Sequence, residues 1–420
     1  MPSIKQTALS TVLSLFLATT TATFVPYSAA LASPNHPTKP AVIKKPAAGA
    51  TRAKSATPAA AQMASGGLPV LPAKAWLLMD FESGQVLASE KPDEPLPPAS
   101  LTKMMTSFLV EQALRSGKLR KDDLVAVSQN AWCRGSGSES CMYLPLNSQA
   151  TVIDILRGII VQSGNDASKA IAEHMAGSEE NFAKLMNAEA QRLGMTQTRF
   201  VNATGLPDPG HRSSARDLAI LARAIIRDSS EFYPIYAERE FKYNGIKQGN
   251  RNALLYTDPT VDGLKTGHTQ EAGYCLVTSS TRSGMRLITV ILNTDSAQAR
   301  ADQTRALLGW GYGNFEKATP IQPNTTVAAA KVDFGKSDTV SAVLGSPWTV
   351  TVPRGQQVQT SVQIKPALEA PVSKGAVIGK VVATSGGKPV GEAPLVAQAD
   401  VERAGLMLRS WQHVAKLFGK

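Results

Sequence analysis

The segment Ala75-Trp76-Leu77-Leu78-Met79-Asp80 is followed, after Glu82-Ser83-Gly84, by Gln85-Val86-Leu87-Ala88. Two apolar runs joined by a glycine-containing turn predict a β-hairpin. Two more strand patterns, Tyr274–Ser280 and Leu287–Asn293, occur much later in the chain. We expect these four strands to form two halves of one antiparallel sheet.

The region between the two strand pairs has helical periodicity instead. It contains five predicted helices, and a sixth follows the last strand: Ser100–Arg115, Ile153–Val161, Ala167–Met175, Asn181–Leu193, Ala215–Arg227 and Asp302–Leu308. Strands, a helical insert and strands again predict an α+β fold, an antiparallel sheet with helices packed on it, over residues 68–317.

The C-terminal part of the chain changes character twice. In residues 318–399 Val, Thr and Gln alternate between Gly, Pro and Ser turns, which predicts a small all-β domain. In residues 400–420 an apolar stripe that includes Trp411 and Phe418 lies opposite a basic face that includes Arg409 and Lys416. This pattern is typical of an amphipathic helix on a membrane surface; a terminal helix docked on the β domain is the alternative.

The N-terminal residues 1–32 have the pattern of a signal peptide. Lys5 precedes an apolar stretch, Ala8–Ala18, and Ala30-Leu31-Ala32 matches a cleavage site. A membrane anchor is the alternative, but the stretch is shorter than the ~20 residues that a span needs. Residues 33–67 are rich in Pro, Ala, Thr and Lys and predict a flexible linker. We therefore expect export.

The formal net charge of +11 does not indicate a nucleic-acid partner. Five of these charges lie in the linker, and no basic run alternates with aromatic residues. Loose attraction to an anionic membrane or wall surface is the favoured interpretation.

The three cysteines suit an exported protein. Cys133 and Cys141 either form a disulfide or remain two free thiols, and Cys275 falls in an apolar strand pattern that predicts a buried free thiol. CxxC and HExxH patterns are absent from the sequence, so no metal site is predicted.

Ser100-Leu101-Thr102-Lys103 is the first candidate for chemistry, because a G-x-S-x-G pentapeptide is missing. Three residues apart on a helix, Ser100 and Lys103 share one face. A lysine whose pKa is lowered by burial or a second cation is able to take the serine proton. The alternative is an ordinary helix start with a solvated lysine, and Ser385-Gly386-Gly387-Lys388 repeats the pattern on a glycine turn.

Two other short elements follow in order along the chain. Ser163-Gly164-Asn165 lies in a predicted loop, where a hydroxyl and an amide are able to relay a proton and hold a carbonyl; a helix cap is the alternative. Lys265-Thr266-Gly267 lies on a predicted strand, where the lysine and threonine suit a carboxylate; a surface strand with a turn is the alternative. Gly267 would let a substrate backbone lie against the strand.

The three elements together are the motif set of penicillin-binding proteins and serine β-lactamases. The wider sequence resembles the low-molecular-mass D-alanyl-D-alanine carboxypeptidases of peptidase family S11. The resemblance is close from about Leu68 to Lys317 and looser beyond. The segments that carry it are Pro98–Thr106, Gln162–Ala167, Phe200–Leu206, Ser213–Asp217 and Val261–Thr269.

The resemblance implies a role for each matching residue. Ser100 would be the acylated nucleophile and Lys103 its general base, while Ser163 and Asn165 would assist proton transfer and substrate placement. Lys265 would add positive potential and help to keep Lys103 neutral. The N–H groups of Ser100 and His268 would form the oxyanion hole. Candidates to hold the substrate carboxylate are Thr266, Arg251 and Arg300. No metal or organic cofactor is implied.

The implied partners are peptidoglycan stem peptides ending in D-Ala-D-Ala, β-lactam antibiotics and a membrane surface. The implied location is the periplasm, at the outer face of the cytoplasmic membrane. A serine β-lactamase is the first alternative, but Gly164 stands where class A enzymes carry Asp, and an E-x-x-L-N segment is missing. The second alternative is a non-catalytic wall-binding protein with the same fold.

Overall fold

The structure is a computed structural model that describes residues 67–133, 139–322, 325–366 and 368–407. The predicted signal peptide, the linker up to residue 66 and residues 408–420 of the predicted amphipathic helix lie outside these ranges. Among the helices that the described ranges contain, none has the length and apolar character needed to cross a bilayer.

The first part of the chain contains seven helices and ten strands within the described residues. The helices are α1 Lys103–Arg115, α2 Val152–Ile160, α3 Asn165–Ala176, α4 Glu179–Leu193, α5 Ala215–Asp228, α6 Leu254–Thr257 and α7 Ala297–Asn314. The strands are β1 Ala75–Asp80, β2 Val86–Glu90, β3 Leu124–Ala126, β4 Gln149–Thr151, β5 Glu240–Tyr243, β6 Ile246–Gly249, β7 Val261–Thr269, β8 Gly273–Arg282, β9 Met285–Thr294 and β10 Phe315–Ala318. Two 3-10 helices, Ala99–Thr102 and Tyr233–Ala237, complete the set.

Five strands form the predicted antiparallel sheet in the order β2-β1-β9-β8-β7. Both predicted strand pairs are confirmed, and they meet where β1 pairs with β9, with Leu77 opposite Val290. The helical insert between β2 and β7 therefore separates two halves of one sheet. This brings β7 and the start of α1 to the same edge, although they are far apart in sequence.

The sheet is buried on both faces, which explains why β1 is apolar at nearly every position. Leu77 belongs to a core that includes Leu221 and Ile225 of α5. Its neighbour Leu78 belongs to a second core on the opposite face, which includes Leu307 of α7. Because successive side chains of a strand point to opposite faces, a strand between two helical layers needs apolar residues at both sets of positions.

The second part of the chain is an all-β domain, as predicted. Its strands are β11 Thr326–Asp333, β12 Thr339–Leu344, β13 Val350–Pro353, β14 Val358–Ile364, β15 Leu368–Glu369, β16 Val377–Ser385 and β17 Lys388–Ala397. Six of them form a sheet in the order β14-β16-β17-β12-β11-β15. The seventh, β13, pairs with β10, so the predicted boundary between residues 317 and 318 falls within a strand that joins the two parts.

A buried hydrogen bond also joins the all-β domain to the sheet of the first domain. Asp80, at the end of β1, is fully buried, and its Oδ1 accepts from the Thr351 hydroxyl at 2.6 Å. Its Oδ2 accepts from the Ser83 N–H and hydroxyl. One carboxylate therefore holds both the β1–β2 turn and a strand of the second domain.

Candidate active site

The Ser100 turn is held in a conformation that its own residues do not favour. Ala99 has a φ of 48°, in the left-handed region, immediately before Ser100. The turn is packed against Gly205, where a Cβ would lie 1.8 Å from the Ala99 carbonyl oxygen. Only glycine fits that position, so the chain at Gly205 packs directly against the residue before Ser100.

Lys103 is the first residue of α1 and is completely buried. Its Nζ lies 3.2 Å from Ser100 Oγ, 2.7 Å from Asn165 Oδ1 and 2.6 Å from the Thr204 carbonyl oxygen. A neutral amine has two N–H bonds and one lone pair. The amide and carbonyl oxygens accept both N–H groups, which leaves the lone pair for the Ser100 hydroxyl.

The lowered pKa of Lys103 favours the neutral amine that this arrangement needs. Burial lowers the pKa of its ammonium from an ordinary 10.5 to about 7, and the positive charge of Arg251 contributes to the same effect. The carboxylates of Glu139, Asp166 and Glu179 act in the opposite direction. A large fraction of Lys103 is therefore neutral near neutral pH.

The middle motif lies between α2 and α3. Ser163 has a φ of 59° and is buried, and its Oγ has no hydrogen-bond partner among the described residues. Asn165 is the first residue of α3, and its amide has a partner on each side. Its Oδ1 accepts from Lys103, and its Nδ2 donates to Glu139 Oε2 at 2.8 Å.

The segment after Glu139 binds the middle motif through its backbone. The Ser140 carbonyl accepts from the Asn165 N–H at 2.7 Å. The Asp166 carboxylate accepts from the N–H groups of Met142 and Leu144 at 2.8 and 3.0 Å. A Cβ at Gly164 would lie 2.8 Å from Asp166 Oδ1 and 3.1 Å from the Met142 N, so the backbone at Gly164 packs tightly against these residues.

The third motif lies on the edge strand β7. Lys265 is buried, its Nζ donates to the Thr266 carbonyl at 3.1 Å, and burial lowers its pKa well below the ordinary value. A Cβ at Gly267 would lie 2.9 Å from the Pro98 carbonyl oxygen, so β7 passes close to the Ser100 turn. The His268 ring packs on Tyr274 with centroids 3.9 Å apart.

Several cations of the cleft interact with Lys103 and Lys265. Arg251 lowers the pKa of Lys103. Lys103, Arg251 and Arg300 lower the pKa of Lys265. The role of Lys265 in keeping Lys103 neutral stays a prediction, and the mutual repulsion of the two lysines agrees with it. Several cations share one low-dielectric region, and each disfavours the charged form of its neighbours.

Both predicted arginines reach the cleft. Arg300, on α7, is buried, and its guanidinium donates to the carbonyls of Gly267 and Cys275 and lies over the Tyr274 ring at 5.6 Å. Arg251 is exposed, and its Nη1 donates to the Ser140 hydroxyl at 2.5 Å. A cationic wall therefore faces the Ser100 turn.

The site forms a cleft of about 570 Å³. Lys103 and Lys265 lie beneath its surface. The other predicted residues line it: Ser100, Ser163, Asn165, Arg251, Thr266, Gly267, His268 and Arg300. The lining residues that the prediction did not include are Glu139, Ser140, Thr204, Gly205, Leu206, Pro207, Thr269, Gln270 and Tyr274. Thr204 and Gly205 belong to the Phe200–Leu206 segment of the family resemblance, which was the available signal for them.

The structure pairs Cys133 with Cys141 in a disulfide, with their Cα atoms 6.1 Å apart. Cys275 is buried and free, as predicted. Donor atoms of Cys133, Glu139 and Cys141 lie within 4.8 Å of one another. Because the two sulfurs are bonded to each other, neither is a thiolate ligand in this state.

An acylatable serine beside a buried lysine, an S-x-N loop and a K-T-G edge strand define the class of penicillin-binding proteins and serine β-lactamases. Within that class, the chain belongs to the D-alanyl-D-alanine carboxypeptidase family, peptidase S11. The family model matches residues 60–296. The model of the C-terminal domain of penicillin-binding protein 5 matches residues 315–403.

Individual proteins agree with this assignment. The chain is 43% identical to the D-alanyl-D-alanine carboxypeptidase DacC of Escherichia coli K12, over 83% of this chain and 89% of that protein. The solved structure of penicillin-binding protein 5 from Haemophilus influenzae matches with a TM-score of 0.73 and 42% identity, over 80% of this chain and 99% of that one. Penicillin-binding protein D2 of Listeria monocytogenes, solved in a cefotaxime-bound form, matches with a TM-score of 0.53 and 31% identity, over 58% and 98%.

Proposed function

We propose that this protein is a serine D-alanyl-D-alanine carboxypeptidase that removes the terminal D-alanine from peptidoglycan stem peptides through an acyl-enzyme on Ser100. The observation that carries the proposal is the environment of the Lys103 amine. It lies 3.2 Å from the Ser100 hydroxyl, it is fully buried, and its pKa is about 7. These are the properties that a general base needs at neutral pH.

The acylation step follows from these contacts. Ser100 Oγ attacks the carbonyl carbon of the amide that joins the two D-alanines, and its proton passes to Lys103 Nζ. The negative charge on the carbonyl oxygen is stabilised by the N–H groups of Ser100 and His268. The C–N bond then breaks, and the departing D-alanine amine takes a proton that returns from Lys103. Ser163 suits this return, because its Oγ is buried at the cleft wall and has no partner among the described residues.

Deacylation completes the reaction. A water attacks the Ser100 ester, Lys103 takes a proton from that water, and Ser100 Oγ leaves with a proton. The products are the peptide shortened by one residue, with a new carboxylate, and the free enzyme. Water and amide account for every atom, so neither a metal nor an organic cofactor takes part in the proposed steps.

The terminal carboxylate of the substrate would bind at the cationic wall. Thr266 supplies a hydroxyl there, Arg251 and Arg300 line the cleft, and Lys265 lies beneath it. An arginine fork matches a carboxylate geometrically and favours an anionic chain end over the middle of a polypeptide. A C-terminal D-alanine satisfies this requirement.

We extend the proposal to β-lactams, which would acylate Ser100 as structural mimics of the dipeptide. The Listeria relative solved in a cefotaxime-bound form supports this extension. Rapid release of the adduct would make the protein a β-lactamase. Gly164, which stands where class A β-lactamases carry Asp, and the missing E-x-x-L-N segment argue for slow release instead.

The direct test is to incubate the purified protein with a pentapeptide ending in D-Ala-D-Ala and to assay free D-alanine. We expect release by the wild type and none by Ser100→Ala. A fluorescent penicillin should label the wild type at Ser100; absence of Ser100-dependent labelling would support a non-catalytic wall-binding protein. Rapid multiple turnover of nitrocefin would favour the β-lactamase alternative.

The cellular location is part of the proposal. The signal-peptide pattern of residues 1–32 supports export to the periplasm, and the apolar and basic faces of residues 400–420 support peripheral binding to the outer face of the cytoplasmic membrane. Deletion of the residues after Ala399 should move the protein from the membrane to the soluble fraction. An unchanged distribution would refute the membrane anchor.

A further inference from the structure

Glu139 was not expected at the site, yet it contacts a motif residue directly. We propose that Glu139 is a positioning residue, which fixes the orientation of the Asn165 amide and is itself held in place by the Cys133–Cys141 disulfide. The inference rests on the proposed function, since its effect is read through acylation of Ser100. The pairing and the carboxylate are features of this chain that the three sequence motifs do not include.

The Asn165 side chain makes a different hydrogen bond on each of its two sides. An amide carries an acceptor oxygen on one side and a donor nitrogen on the other. Lys103 Nζ lies 2.7 Å from the Oδ1 side, and Glu139 Oε2 lies 2.8 Å from the Nδ2 side. A flipped amide would place two donors against each other at Lys103 and two acceptors against each other at Glu139. The carboxylate therefore selects the orientation that the base needs.

Glu139 is held by the disulfide and by the backbone contacts of the residues next to it. It stands two residues before Cys141, which is bonded to Cys133. Ser140 is fixed by its carbonyl to the Asn165 N–H, and the Cys141 carbonyl accepts from Gln248 at 3.0 Å. A covalent cross-link this close limits the positions that Glu139 is able to sample. Because Cys275 is free, Cys133–Cys141 is the disulfide in the described part of the chain.

Glu139 acts on the site both through its negative charge and through its hydrogen bond to Asn165. The negative charge of Glu139 favours the ammonium form of Lys103 and so raises its pKa. Its loss alone should lower that pKa. The ionisable groups that act on or face Lys103 from the surrounding elements are Arg251, Glu139, Asp166, Glu179, Lys265 and His211. Of these, Glu139 is the one that also holds the Asn165 Nδ2.

The test compares two substitutions at one position by the second-order rate constant for acylation by a fluorescent penicillin, measured from pH 5 to 9. Glu139→Gln keeps an acceptor oxygen but loses the charge. We expect its acidic limb to move to lower pH, with a plateau within about twofold of wild type. Glu139→Ala loses the acceptor as well, and we expect its plateau to fall about tenfold. Glu90→Gln, on β2 at the opposite edge of the sheet from β7, is the matched control and should change neither.

Two experiments test whether the Cys133–Cys141 disulfide holds Glu139 in place. One is the double variant Cys133→Ser with Cys141→Ser, and the other is treatment of the wild type with dithiothreitol, which reduces the disulfide to two thiols. Each should lower the plateau as Glu139→Ala does. The combination with Glu139→Ala should cause no further loss, because both changes act through the same contact. A full additional loss in the acylation plateau would contradict the claim that the disulfide acts by holding Glu139.

A Glu139→Ala plateau equal to that of the wild type, whatever the position of the acidic limb, would overturn the inference while leaving the proposed function intact. Absence of acylation in the wild type would overturn the proposed function, and the inference with it.

Discussion

The catalytic domain and the all-β domain differ in what they bury. The catalytic domain buries two lysines, Lys103 and Lys265, and a glutamate, Glu111, whose pKa burial raises to about 8. In the described part of the all-β domain the buried polar side chains are Thr351 and Ser385, and both have hydrogen-bond partners. Its core consists of residues such as Val381 and Leu395.

This difference indicates that the buried residues of the two domains contribute differently to stability and to function. Burying an ionisable group costs free energy that a well-packed apolar residue does not cost. A chain retains such groups where their altered ionisation is used, as at Lys103. The all-β domain buries none of these groups among its described residues. Substitutions in the two domains should therefore have opposite consequences.

Lys103→Met should give the largest effect on activity. Loss of the general base should lower D-alanine release by about 10²- to 10⁴-fold. Stability should not fall, because an apolar side chain of similar length replaces a buried amine. Assay of D-alanine together with thermal unfolding at pH 7 measures both. Retained activity with lower stability would contradict the view that the buried Lys103 serves activity and not stability.

The same variant tests linkage to pH. The folded-state pKa of Lys103 is about 7, below the ordinary 10.5, so between these values the unfolded chain binds more protons than the folded one. Stability of the wild type therefore gains a contribution as pH rises from 7 towards 10.5, and this contribution is absent below 7. Lys103→Met should remove that slope. Chemical denaturation at several pH values gives the measurement.

Leu395→Ala should give the largest effect on stability with the smallest on activity. Leu395 is completely buried in the core of the all-β domain, and such truncations cost about 2–5 kcal/mol. D-alanine release at 25 °C should remain at the wild-type level. Val377→Ala, at a half-exposed position of the neighbouring strand, is the control and should cost far less. Loss of activity in a still-folded Leu395→Ala protein would contradict the separation.

Thr351→Val should have a smaller effect at the junction of the two domains. The substitution leaves Asp80 Oδ1 buried without its donor, while Oδ2 keeps both contacts with Ser83. The expected cost is about 1–3 kcal/mol in the free energy of unfolding. Thr360→Val, on the exposed strand β14, is the control. Equal stability of the two variants would show that the buried contact contributes nothing.

Local patterns predicted the sheet, the helical insert and the motif residues, because those signals lie within short stretches. Helix α7 is an element whose bounds the local patterns did not predict. It was predicted from Asp302 to Leu308, but it begins at Ala297, since Ser296 caps it by accepting from the Ala299 N–H. It continues through glycines that normally end a helix. At Gly311 a Cβ would lie 2.8 Å from a methyl group of Leu78 on β1, so the glycine lets the helix pack closely on the sheet.

Within the site, the missed contacts are those that cross large distances in sequence. The Thr204 carbonyl and the Arg251 charge act on Lys103 across many intervening residues, and neither forms a motif with it. Glu139 lies outside all three motifs, and its one signal was the pair of cysteines around it. Spacing within a motif predicts which residues react, whereas their ionisation depends on neighbours that only the folded chain brings together.

The most direct test of this account is the pH dependence of Ser100 acylation in the wild-type protein. If burial keeps the Lys103 amine neutral beside the serine, the rate constant should rise about tenfold per pH unit below pH 7 and become constant above a bend near 7. A rate that is constant from pH 5 to 9, or one that continues to rise towards pH 10.5, would contradict it.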